Sequence, residues 1–150
     1  MKKLVIYQVS DDIEIEKFLE LKSFAPTRNI KAKDLQIKVF AGYDNETFVD
    51  ALEIVDYLSA RKIFRHDALN KNQKDLKKAL NYLFSLVIKE KYDVLFLITY
   101  YDQANILPKM IAKHFNAKRE LKFTTVPGVI TCFNLENKKF SMYTPNTILN

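Results

Sequence analysis

Apolar residues recur along the chain in two rhythms. KLVIYQV (3–9), LQIKVFA (35–41) and VLFLITY (94–100) are short, nearly continuous apolar runs rich in β-branched and aromatic residues. Each predicts a buried strand, and the third, the most hydrophobic, is expected at the centre of a sheet. Between them apolar positions fall three and four apart. DDIEIEKFLELKSF (11–24) opens with acids, which suit the positive N-terminal end of a helix. ETFVDALEIVDYLSARKIF (46–64) places Phe48, Ala51, Leu52, Val55 and Leu58 on one helical face. QKDLKKALNYLFSLVIKEK (73–91) repeats the pattern through Leu76, Ala79, Leu80, Leu83, Leu86 and Val87. DQANILPKMIAKHF (102–115) predicts a further helix, with Pro108 forcing a kink or a late start. APTRNIKAKD (25–34) and RHDALN (65–70) read as connections, and GYDN (42–45) as a strand breaker. LKFTT, GVITCFNL and KKFSMYT within 121–144 read as three short strands, with Gly128 in the first gap and a tight turn at Glu136-Asn137 in the second.

The predicted order is therefore β-α-β-α-α-β-α-β-β-β. Alternation of strands and helices implies a three-layer α/β/α domain, and the closing strands add an antiparallel C-terminal edge to a mostly parallel sheet. A length of 150 residues fits a single domain over 1–150, and no linker or repeat divides it.

Composition narrows the chemistry. Gly42 and Gly128 are the only glycines, so glycine-rich phosphate loops are excluded. The one cysteine, Cys132, lies in an apolar strand-like run and reads as a buried, inert thiol. With it and two histidines, His66 and His114, no Cys/His zinc site can be assembled. Both histidines read as surface residues. No leader-like segment and no run of about 20 apolar residues occurs, so a cytoplasmic protein without a membrane partner is expected. The formal net charge of +6 favours polyanions at long range.

The element order and several local patterns resemble the histidine phosphatase superfamily (the phosphoglycerate mutase-like fold), in particular its short phosphohistidine phosphatases. KLVIYQVS lies where that family has a strand ending in Arg-His-Gly. VFAGYDNETFVDALEIVDYL looks like the strand and helix of its second motif. DVLFLITYYDQANIL looks like the strand entering its second histidine, and FTTVPGVITCFNLENKKFSMY is similar to its closing hairpin. The resemblance covers most of the chain, with a shorter segment between the first two strands. In that family the first histidine accepts the phosphoryl group, while arginines and the second histidine bind it.

The motif residues themselves are absent here. Gln8-Val9-Ser10 takes the place of Arg-His-Gly, the motif arginine falls near Glu46 or Thr47, and the second histidine becomes Tyr100. A phosphoenzyme needs a nucleophile such as histidine, and Val9 can supply none. The resemblance thus implies a degenerate member: a pseudoenzyme, leaning away from catalysis and needing no cofactor. Its vestigial pocket would be rebuilt from Gln8, Ser10, Tyr43, Tyr100, Tyr101 and Asp102, binding a small ligand or a protein partner. That pocket is expected to be acidic or neutral.

Two other readings compete. Asp11, Asp12 and Asp102 at the strand ends would hold Mg²⁺ in a metal-assisted phosphatase or phosphodiesterase. Capping explains each aspartate more simply, since Asp suits the position before a helix. Lys71, Lys74, Lys77 and Lys78, with Lys109, Lys113, Lys118, Arg119 and Lys122, would give a basic nucleic-acid-binding module. Against it, no aromatic stacking partner is interleaved with these lysines in sequence.

Overall fold

The computed structural model of the chain describes residues 3–9, 37–57, 62–89, 92–117, 130–143 and 148–149. The helix expected over 11–24, the connection over 25–34, the strand LKFTT and Gly128 lie outside these residues. So do the candidate site residues Ser10, Asp11 and Asp12.

Among the described residues the strands are β1 (Lys3–Gln8), β2 (Ile37–Ala41), β3 (Ile63–Arg65), β4 (Val94–Thr99), β5 (Ile130–Asn134), β6 (Lys139–Tyr143) and β7 (Ile148–Leu149). They form one sheet in the order β3-β2-β4-β1-β5-β6-β7. The pairs β3–β2, β2–β4 and β4–β1 are parallel, and β1–β5, β5–β6 and β6–β7 are antiparallel. A parallel part with an antiparallel C-terminal edge is the expected arrangement, and each part contributes three pairings. β4 is an interior strand, buried at all six positions. Its neighbour β1 takes the middle place instead.

Among the described residues three α-helices cover the sheet: α1 (Asn45–Tyr57), α2 (Leu76–Val87) and α3 (Tyr101–His114). Because side chains alternate along a strand, successive β1 residues enter different layers. Val5 and Tyr7 join Val39, Phe96 and Ile98 on the face where α1 contributes Ala51. Leu4 and Ile6 join Leu95, Leu97 and Phe133 on the opposite face, with Leu80, Leu83 and Phe84 of α2 and Leu107 and Ile111 of α3. That is the expected three-layer arrangement.

The helices differ from expectation in detail. α1 ends at Tyr57, and Ile63–Arg65 pairs in parallel with Val39–Ala41 as strand β3. The helical rhythm over 46–64 was thus continued too far. β-branched Ile63 and aromatic Phe64 satisfy an otherwise unpaired edge of β2, a gain no local pattern reports. Leu52 and Leu86, both placed on buried faces by spacing, are 46% and 42% exposed, and in α1 Thr47 with Ala51 takes the innermost row. α3 starts at Tyr101 and continues through Pro108, which removes only the hydrogen bond to the Ala104 carbonyl. The predicted late start does not occur. The β5–β6 turn spans 135–138 and is held by Asn134 and Asn137 side chains accepting the Glu136 and Lys139 amides at 3.0 Å each. No helix among the described residues is long and apolar enough to cross a membrane.

Candidate functional site

The carboxyl ends of β1, β2, β3 and β4 share one edge of the sheet, because these strands run in parallel. Ligands in open α/β folds bind at such an edge. Two hydrogen bonds close the β1–β4 end: the Val9 amide donates to the Thr99 carbonyl at 2.8 Å, and the Thr99 side-chain hydroxyl donates to the Tyr7 carbonyl at 2.8 Å.

The turn after β3 builds the next part. His66 caps a single 3₁₀ turn, Asp67–Leu69, by accepting the Ala68 amide on Nδ1 at 3.0 Å. The ring therefore carries its proton on Nε2. Burial pushes the His66 pKa below its ordinary value, against the opposing pull of Asp67. It is half-buried, not a free surface histidine as expected, whereas His114 is exposed. Gly42 ends β2 beneath this turn. A Cβ there would lie 2.5 Å from the Leu69 carbonyl oxygen and 2.9 Å from the Asn70 nitrogen, so only glycine lets the two segments meet.

Side chains then tie the turn to both neighbouring strand ends. Asn70 accepts the Tyr43 amide at 2.6 Å, and Asp44 accepts the Lys71 amide at 2.7 Å. Asp44 thus clasps another loop through its side chain. From the other side, buried Gln103 donates to the Asn70 carbonyl at 2.8 Å and the Ala68 carbonyl at 3.3 Å. The same side chain accepts the Tyr100 amide at 2.6 Å, satisfying one donor of the α3 N-terminus.

A pocket of about 180 Å³ opens between this turn and the start of α3. It is lined by Tyr100, Tyr101, Asp102 and Gln103 from α3 and by Lys71, Asn72, Gln73 and Leu76 from the approach to α2. Tyr101 and Asp102 are exposed at its rim. The Lys71 ammonium lies 5.9 Å from the Tyr100 ring centroid and 4.0 Å from the Glu46 carboxylate. Burial, then the nearby Asp44 and Glu46 carboxylates, push the Tyr100 hydroxyl far above an ordinary phenol. It stays protonated throughout the physiological range.

Of the expected site residues, the structure brings Tyr100, Tyr101 and Asp102 into this pocket. Gln8 is 5% exposed at the end of β1 and does not line it. Tyr43 stands outside it, with its ring 5.3 Å from the Arg65 guanidinium. The edge carries both signs of charge: Arg65 and Lys71 stand among Asp44, Glu46 and Asp102. Lys71, Asn72, Gln73 and Gln103 were missed. For the first three the signal was the polar run after IFR, which becomes informative only once Ile63–Arg65 is recognised as a parallel strand; Gln103, inside α3, had no local signal. The Mg²⁺ set loses testable geometry, since only Asp102 of its three members is described. Among the described residues no three His, Cys, Asp or Glu side chains are grouped as a metal site. Cys132 is buried, and burial pushes its thiol up to about 12, so the expectation of an inert cysteine holds.

No family model matches the chain, and no curated protein matches it. Among solved structures the chain is similar to a phosphoglycerate mutase from Plasmodium falciparum, with a TM-score of 0.56 and 11% identity. The match covers 94% of this chain and 89% of that one. The fold is phosphoglycerate mutase-like. This likeness reaches the fold of the histidine phosphatase superfamily and stops there. Within a phosphoglycerate mutase-like sheet, the pocket lies at the carboxyl end of β4, where Tyr100 occupies the N-cap of α3.

Proposed function

We propose that the protein is a non-catalytic binding module, a degenerate relative of the short phosphohistidine phosphatases that keeps the fold without the reaction. The carrying observation is the side-chain chemistry at the strand ends. β1 ends in Gln8 and Val9, and β4 leads into Tyr100, whose hydroxyl is held neutral. His66 spends Nδ1 on the Ala68 amide and loses basicity through burial, which suits it poorly to accept a phosphoryl group.

The pocket instead suits recognition. At about 180 Å³ it is smaller than a typical small-molecule site of roughly 300–1,000 Å³, so it takes a small polar molecule or one side chain of a protein partner. Tyrosine faces, the Lys71 ammonium and the Asp102 carboxylate offer stacking and both signs of charge. The frame around it is rigid, since Gln103 and Asn70 hold backbone groups from three strand ends.

Turnover decides this reading against a metal-assisted phosphatase or phosphodiesterase. Purified protein is assayed with a chromogenic phosphomonoester and a phosphodiester, with Mg²⁺ or Mn²⁺ and with EDTA. The expected result is no rate above the uncatalysed background in any condition. A metal-dependent rate that disappears in Asp102→Asn overturns the proposal and makes the acidic strand ends an active site.

A further inference from the structure

The outer surface of α2 carries chemistry that the pocket does not use. From Lys71 to Lys89 the sequence has five lysines and one acid, Asp75. Lys74, Lys77, Lys78 and Lys89 are all exposed. Residues four apart on a helix share a face, so Lys78, Tyr82 and Leu86 form one row, which Lys89 extends at the C-terminal end. Tyr82 is 61% exposed and Leu86 is 42% exposed. The row from Lys78 to Lys89 spans about 16 Å at the helical rise. An exposed ring therefore shares a helical row with Lys78, although the sequence alone suggested that no aromatic was interleaved with the lysines. His66 backs the ring from the side, with centroids 5.8 Å apart.

Charge on the other side of the sheet makes this surface directional. Over Asn45–Tyr57 the α1 sequence has four acids, Glu46, Asp50, Glu53 and Asp56, and no lysine or arginine; Glu46 is exposed, and Asp50 acts on buried Tyr7. A polyanion is thus drawn to the α2 side and repelled from the α1 side. Lysines alone would accept any polyanion. The exposed ring with Leu86 beside it adds a platform on which a base can stack, which an acidic peptide has no use for. A duplex keeps its bases stacked inside and cannot use the platform either.

We infer that the α2 face binds single-stranded nucleic acid, with Lys74, Lys77, Lys78 and Lys89 on the phosphates and Tyr82 stacking on a base. This does not depend on how the strand-end pocket is read.

The test is fluorescence anisotropy of the full chain with labelled single-stranded 20-mers of DNA and RNA across a salt series. The observed association constant is expected to fall with salt at a log–log slope of about −3, since four neutralised phosphates contribute about −0.7 each. Lys78→Ala should make that slope shallower by about 0.7. Tyr82→Ala should weaken binding by roughly tenfold, with the slope unchanged, while Tyr82→Phe binds as the parent does. Both positions are exposed, and unchanged melting temperatures confirm folding. Three results each overturn the inference: no binding at low salt, equal binding by Tyr82→Ala, or equally tight binding of a duplex or of polyglutamate.

Discussion

The two faces of the sheet are built from the same strands and end up with different chemistry. Against α2 and α3 the contacts are almost purely carbon: Leu4, Ile6, Leu95 and Leu97 meet leucines, Phe84 and Ile111. An aromatic chain extends this layer, with Phe115 and Phe133 centroids 5.4 Å apart and Phe133 and Phe140 4.6 Å apart. Against α1 the layer includes oxygen. The phenol of Tyr7 is fully buried, and Asp50 of α1 is close enough to add to the effect of burial in pushing its pKa up. Thr47 is buried too, its hydroxyl donating to the Asp44 carbonyl at 3.0 Å. Outside, α1 shows Glu46 and α2 shows lysines. The comparison teaches that period-two alternation lets one strand serve a stabilising apolar layer and a polar, charge-sensitive layer at once.

The largest expected effect tests the apolar layer. Leu83→Ala should cost about 2–5 kcal/mol, since a fully buried side chain leaves a cavity. Val49→Ala on the outer side of α1, where Val49 is 53% exposed, should stay within about 0.5 kcal/mol. Urea unfolding at neutral pH measures both, and equal costs would break the comparison.

The frame between the faces comes next. Gln103→Ala leaves the Tyr100 amide and the Ala68 and Asn70 carbonyls without their partner, which should cost about 1–3 kcal/mol. Nuclear magnetic resonance of Tyr43 and Lys71 amides should report the loosened turn. Unchanged stability would mean that the turn is held from the β2 side alone.

Smaller effects sharpen the polar layer through pH. Tyr7 and Tyr100 have raised values in the folded protein, so folded protein binds those protons more tightly than unfolded. Their contribution is whole below about pH 10 and is lost as pH rises beyond it. Alkaline melting curves should therefore fall more steeply in the parent than in Tyr7→Phe. His66 has the opposite sign: its value is lowered, so its contribution is present above about pH 6.5 and is lost on acidification. His66→Gln should flatten the mild-acid side of the same stability profile. Smallest of all is the thiol. Cys132 should resist a disulfide reagent at pH 8 in native protein and react fully in denaturant.

Much of the fold was legible because burial imposes rhythm. VLFLIT could only be a strand covered on both faces, and the leucines of α2 recur at the helical period of a helix packed on one side. Those rhythms are local, and they delivered the three-layer class, the parallel core and the antiparallel edge. Tyr100, Tyr101 and Asp102 were legible as site residues for the same reason, since they follow a strand whose end could be located. The single cysteine and the scarcity of glycine also settled chemistry without coordinates.

What tertiary structure decided is partnership across distance. Ile63–Arg65 becomes a strand only because β2 offers an edge, and that pairing moves Lys71, Asn72 and Gln73 to the mouth of the pocket. Gln103 looks like an ordinary helix residue until its amide meets the Ala68 and Asn70 carbonyls, 35 and 33 residues away in sequence. Tyr82 is left 61% exposed because α2 packs on Leu80, Leu83, Phe84 and Val87. Hydrogen bonds and exposure depend on which surfaces meet, and a linear pattern records only which surfaces are apolar.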